Sequence, residues 1–272
     1  MPVPRSKSLI LDIYGGFVRH LGGWIAIAHL IRLMGDLGVD EQAVRSSVSR
    51  MSRNGMLVRR ERGSQVGYEV SDAAATILDE GDLRIFAGGM PARLEDGWVV
   101  ATFSVPEADR DQRHQLRSRL AWLGFGNLGA GVWLAPRRAL SRIREAVEEL
   151  GLSAYVDLFE AHYRGFDEVA RLAERCWDLE GLNQRYAQFI QGALPVVGRW
   201  RDQTSGDDRA AFVDYTTILH HWRKLPYLDP GLPQELLPAR WQGGTAAGLF
   251  SEVLERLEKP ARRYVEGVVT RR

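Results

Sequence analysis

Residues 44–71, "VRSSVSRMSRNGMLVRRERGSQVGYEVS", change period halfway along. Val44, Val48 and Met51 recur at i, i+4 and i+7, the spacing of one helical face, and Arg45, Ser49 and Arg53 then share the opposite side. Asp40 is a good N-cap, Glu41 suits the positive end of the helix dipole, and Gly55 is placed to stop the helix. Beyond it, residues 56–62 and 65–70 read as two strands joined by a Gly63-Ser64 turn, with Val66, Tyr68 and Val70 alternating. Upstream, residues 8–21 and 24–34 carry helical spacing, broken at Gly22-Gly23. Downstream, Ser71 opens a fourth helix at "DAAATILDEGDLRIF". Helix, helix, capped helix and ribbon is the order of a winged helix-turn-helix.

The charge of this stretch agrees with that order. Arg45, Arg50, Arg53, Arg59, Arg60 and Arg62 stand against Glu61 alone, in a chain whose formal net charge is +1. The third helix offers Arg45, Ser46, Ser49, Arg50 and Arg53 to a major groove, and the ribbon carries Arg59, Arg60 and Arg62 toward the backbone or the minor groove. The planar guanidinium can bind phosphate, or the O6/N7 edge of guanine, with two hydrogen bonds. A solvated basic face with no partner is the competing reading. The agreement of charge with fold order favours double-stranded DNA.

The rest of the 272 residues supports a larger assembly of domains. Apolar content of 45% and charged content of 26% are those of a soluble globular chain. Cys176 stands alone, so no intramolecular disulfide or thiolate cluster can form, which fits a reducing cytoplasm. The N-terminal apolar stretch is too short and interrupted for a signal peptide or membrane span, so a cytoplasmic protein with no membrane partner is expected. Residues 87–97, "AGGMPARLEDG", read as a linker. Then "WVVATFSV", a charged amphipathic helix, "GFGNL", "GVWLAP", a second helix and "AYVDLFEA" give β-α-β-β-α-β, the ferredoxin-like order. From residue 165 the pattern is helical, interrupted by the proline-rich "LPYLDPGLPQELLPARW". The expected class is therefore α+β multidomain: a winged helix-turn-helix over residues 1–86, a ferredoxin-like βαββαβ domain over 97–164 and a helical C-terminal domain over 165–272.

No catalytic constellation is visible. Gly124, Gly126 and Gly129 spell G-x-G-x-x-G, but a helix precedes them and a strand follows, the reverse of a dinucleotide site. A glycine-rich strand connection is the better reading. No two histidines take an H-x-x-x-H spacing, and neither a G-x-S-x-G elbow nor a phosphate-cradling glycine loop appears. The expectation is no enzyme, no metal site and no bound cofactor. "HHWRK" and "ARWQ" place aromatic rings beside cationic groups, which suits an aromatic or nucleotide ligand, although ordinary packing is the better reading of each.

"GVDEQAVRSSVSRMSRNGMLVRRERG", "GYEVSDAA", "GFGNLGAGVWLAP" and "LPYLDPGLPQELLPARWQG" together resemble the PaaX family of bacterial transcriptional regulators, whose founding members repress phenylacetate catabolism. The resemblance touches all three regions. It implies a winged-helix head, a central domain similar to CRISPR-associated small nucleases, a helical C-terminal domain, and homodimeric operator binding by a repressor. It also implies a small-molecule effector, phenylacetyl-CoA or a related acyl-CoA. Cationic groups and apolar walls for such a ligand are offered by His221, Trp222, Arg223, Lys224, Arg240 and Trp241. The nuclease relatives carry a metal-binding Asp at the end of the first strand. Here "TFSVPEAD" has Ser104 and Val105 there, with Asp109 farther on, which speaks against a metal-dependent nuclease. A sensor acting through protein partners is a third alternative.

Overall fold

The computed structural model describes residues 6–86, 92–202 and 207–270; residues 87–91 of the expected linker lie outside them. The three-part architecture is present, with a mixed α/β head, a central sheet-and-helix domain and a C-terminal helical region. By packing, the chain forms two compact units. One comprises residues 1–87, 188–223 and 244–272, and the other residues 88–187 and 224–243.

In the first unit, α1 (Ser6–Gly16) is followed by a short 3-10 turn, and then by β1 (Trp24–Ala26), α2 (Ile27–Asp36) and α3 (Glu41–Arg53). β2 (Leu57–Arg62), β3 (Gln65–Val70) and α4 (Asp72–Ile85) complete the head. The helical spacing expected over residues 24–34 is corrected at its start, because Trp24–Ala26 is a strand. Gly22 and Gly23, both at positive φ (89° and 75°), reverse the chain there. Trp24 then pairs with Glu69 and Ala26 with Gly67, giving sheet order β1-β3-β2. An open strand edge outweighs local helical preference. The head is thus closed by a three-stranded sheet, with β2 and β3 as its wing.

Later helices of this unit are the end of α8 (Leu179–Asp202), α9 (Asp208–Trp222) and α11 (Gly243–Thr270). α1 packs on α9, with the Phe17 ring 5.5 Å from Phe212 and 5.6 Å from Tyr215. Wholly apolar packing is broken at one place. Asp12 and His220 are both buried, and their side chains meet at 2.6 Å, Asp12 Oδ2 to His220 Nδ1. Arg223 reaches the other carboxylate oxygen at 2.5 Å and donates to Ser8 Oγ.

The second unit holds β4 (Trp98–Phe103), α5 (Arg110–Trp122), β5 (Gly126–Gly129), β6 (Val132–Pro136), α6 (Leu140–Glu149) and β7 (Val156–Ala161). The sheet order is β5-β6-β4-β7, antiparallel throughout, as the ferredoxin-like order requires. Val99, Ala101 and Phe103 face the core under α5 and α6, together with Leu116, Leu120 and Ile143. Trp98 and Val100 face the other side. There α7 (Val169–Cys176) supplies Leu172 and Ala173, and the proline-rich crossing supplies Leu232 and Leu236. Burial on both faces explains why "WVVATF" is nearly continuous in apolar character. A short α10 (Leu225–Leu228) opens that crossing. The glycine triplet is structural: Gly124 turns the chain at φ 87°, and a Cβ on Gly126 would meet the Cys176 carbonyl at 2.7 Å. Backbone clearance against α7, not phosphate binding, accounts for Gly126.

Candidate nucleic-acid interface

α3 is built by its ends. The Asp40 carboxylate accepts the Ala43 N–H at 2.9 Å, and Gly55 at φ 69° carries the chain out toward the wing. Val44, Ser47, Val48 and Met51 are buried, while Arg45, Ser46, Ser49, Arg50 and Arg53 are exposed. In the wing, Gly63 at φ 61° occupies the first central position of a two-residue turn, the II′ arrangement that matches strand twist. A buried tyrosine fixes the wing to the head: Tyr14 donates its hydroxyl to the Tyr68 carbonyl at 2.9 Å, and burial pushes its pKa up, keeping it a donor.

The register sorts the wing arginines. Arg59 opposes Tyr68, on the face that carries Leu57 into the core. Arg60 opposes Gly67 and Arg62 opposes Gln65, on the other face. Partners then separate the arginines further. Arg45 lies against Glu41 at 2.7 Å, Arg59 against Glu61 at 2.8 Å and Arg60 against Glu69 at 2.8 Å. Arg50 is tied to Ser46 and Ser47 along the helix at 2.8 and 3.1 Å. Arg62 stacks over Trp24, its guanidinium carbon 5.1 Å from the ring centroid. Arg53 has no side-chain partner among the described residues.

The sequence reading missed three features of this surface. Gln42 is exposed near the start of α3, four residues before Ser46, and its amide makes no hydrogen bond among the described residues. Its position one turn from Ser46 was legible. Glu41 as a partner of Arg45 was legible too, from the i, i+4 spacing. Glu69 as a partner of Arg60 needed the hairpin register.

The residues named for an effector divide between the two units. His221, Trp222 and Arg223 belong to the first unit, and Lys224, Arg240 and Trp241 to the second. Trp222 is buried, donates to the Ile85 carbonyl at 3.1 Å and stacks on Phe250 at 4.8 Å. Arg223 is held in the Asp12 cluster. Trp241 sits edge-on to Tyr186 at 5.4 Å, and Lys224 and Arg240 are exposed. Packing accounts for Trp222 and Arg223. Among the described residues no group of three or more His, Cys, Asp or Glu side chains is arranged to hold a metal ion. None of their helices is long and apolar enough to cross a membrane.

A winged-helix head joined to a ferredoxin-like domain and a helical region is the layout of a multidomain regulator. Comparison with known proteins agrees region by region. Residues 5–74 match the PaaX-like protein family, 91–173 the PaaX protein central Cas2-like domain, and 177–267 the PaaX-like protein C-terminal domain. The chain is 30% identical over 268 residues to the transcriptional repressor PaaX of Escherichia coli, covering 97% of this chain and 84% of that one. An uncharacterized Mycobacterium tuberculosis protein shares the fold, with a TM-score of 0.62 at 24% identity over 96% of this chain and 98% of the other. The chain belongs to the PaaX family of transcriptional regulators, which are non-catalytic DNA-binding proteins.

Proposed function

We propose that this protein is a cytoplasmic, homodimeric repressor that binds a double-stranded operator through α3 and the β2–β3 wing and is released by an aryl- or acyl-CoA. The observation that carries the DNA reading is the exposed face of α3, where Arg45, Ser46, Ser49, Arg50 and Arg53 stand opposite buried Val44, Val48 and Met51. Helix α3 enters the major groove with its N-terminal half toward the base edges, and Arg59, Arg60 and Arg62 bring the wing to the sugar-phosphate backbone. The carboxylates beside three of these arginines do not oppose this. Exposed ion pairs are worth about 0.2–1 kcal/mol and exchange readily for phosphate. One recognition helix reads few base pairs, so two copies related by symmetry are needed for a specific site.

The test is affinity for the protein's own promoter fragment and for random duplex across salt. Each phosphate contact contributes about 0.9 to the slope of log K against log salt. Arg59→Ala and Arg60→Ala are expected to flatten the slope and weaken all sequences alike. Footprinting is expected to show two inverted half-sites. Equal affinity for promoter and random duplex at every salt concentration would rule out base reading, and one asymmetric half-site would rule out the dimer. The effector reading rests on family membership, and its test uses the whole protein. An acyl-CoA should raise the melting temperature by binding the native state, and by reciprocity should weaken operator binding. If a panel of aryl- and fatty-acyl thioesters and their free acids changes neither, the effector is of another class.

A further inference from the structure

We infer that Trp24, on the short strand β1, is a positioning residue for DNA binding that holds Arg62 at the wing tip ready for phosphate; the inference rests on the wing's being a DNA contact. It begins with Gly67. A glycine inside a strand weakens pairing and marks a close approach of other atoms. Here a Cβ at position 67 would collide with the Ile25 carbonyl oxygen and the Trp24 indole. The missing side chain leaves a slot across β3, and the indole lies in it. Its Nε1–H reaches the Arg60 carbonyl at 3.4 Å, so the ring spans from β1 over β3 to β2.

The register puts Arg60 and Arg62 on the indole's face, with Arg62 the last residue before the Gly63-Ser64 turn. Arg60 is turned aside to Glu69. Arg62 lies over the indole and meets no carboxylate among the described residues. The difference matters chemically. A carboxylate neutralises a guanidinium and must be displaced before phosphate can bind. An aromatic face attracts the cation through its quadrupole, leaves the charge in place, and keeps the N–H edges turned toward solvent. Long arginine side chains lose rotamer freedom on binding, and a stacked one has lost part of it already. Of the three wing arginines, Arg62 alone is held without a carboxylate among the described residues.

A double-mutant cycle on the full-length protein and its promoter fragment tests this. Arg62→Ala is expected to weaken binding and lower the salt slope by about 0.9. Trp24→Leu is expected to weaken binding about two- to fivefold when Arg62 is present, the size of an exposed cation–π contact, and to cost nothing further beside Arg62→Ala. Should Trp24→Leu melt below the assay temperature, Trp24→Phe replaces it, with a smaller loss expected and again only in the Arg62 background. An equal loss in both backgrounds makes Trp24 merely structural and overturns the inference. Unchanged affinity and slope for Arg62→Ala would instead remove the wing from the DNA contact, a separate failure.

Discussion

Two arginine–carboxylate contacts in the same compact unit show how far solvent decides what one chemistry does. Arg45 and Glu41 meet at 2.7 Å with both side chains more than half exposed. Arg223 and Asp12 meet at 2.5 Å, with the carboxylate 2% exposed and His220 bonded to its other oxygen. In water the first pair is nearly isoenergetic with two hydrated ions, so phosphate can take the carboxylate's place. The second cannot separate without leaving a charge in a dry interior, so it fixes α1 against α9. The exposed pairs line the proposed recognition surface, and the buried pair forms a joint.

The largest effect that would break this comparison is on the joint. Arg223→Ala is expected to lose about 3–5 kcal/mol in urea unfolding, because Asp12 keeps a buried charge without its cation. Pairing it with Asp12→Leu should restore only part of the loss, because buried His220 then lacks its carboxylate, and a single variant with wild-type stability would refute the role. Next in size is base reading. Arg45→Ala and Gln42→Ala are each expected to lose about 1–3 kcal/mol of discrimination at one base pair, measured on a set of base-substituted fragments. Uniform weakening would assign them to phosphate instead. Smaller still, Glu61→Ala and Glu69→Ala free Arg59 and Arg60 and should tighten DNA binding by at most about fivefold. Weaker binding would mean that those carboxylates orient their arginines and do not compete with phosphate.

The smallest effect concerns pH. Desolvation first, then the nearby Arg262 and Arg19, hold His20 below its usual pKa of 6.5. The unfolded chain therefore takes up the proton before the folded one does as pH falls. The contribution is fully favourable above about 6.5 and is lost as pH drops toward the folded-state value. Thermal melts between neutral and mildly acidic pH should show a slightly flatter decline for His20→Gln than for wild type. A steeper one would reverse the sign.

Much of the head was legible in the sequence because its signals are local. Asp40, Glu41 and the Val44, Val48, Met51 spacing define α3, and Gly63-Ser64 with alternating neighbours defines the wing. The ferredoxin-like order follows in the same way from six short patterns. Contacts between residues distant in sequence were not legible. Residues 24–26 carry helical spacing and became a strand only because β3 offered an open edge. The order of elements already set the glycine triplet apart from a nucleotide fingerprint, but the close approach of α7 that requires Gly126 was not legible. "HHWRK" read first as packing, with a ligand cradle as the alternative, and the burial of Trp222 and the hold of Asp12 on Arg223 agree with packing for those two.

The sequence by itself determined which elements form and where the arginines cluster, since caps, turns and hydrophobic period act within a few residues. Only the tertiary structure decided that Arg60 meets Glu69 and Arg223 meets Asp12, that Arg62 lies on an indole, and that the crossing over residues 224–243 covers the central sheet. Those outcomes depend on strand register and on burial across tens to hundreds of residues, and no local pattern encodes the partner on the far side.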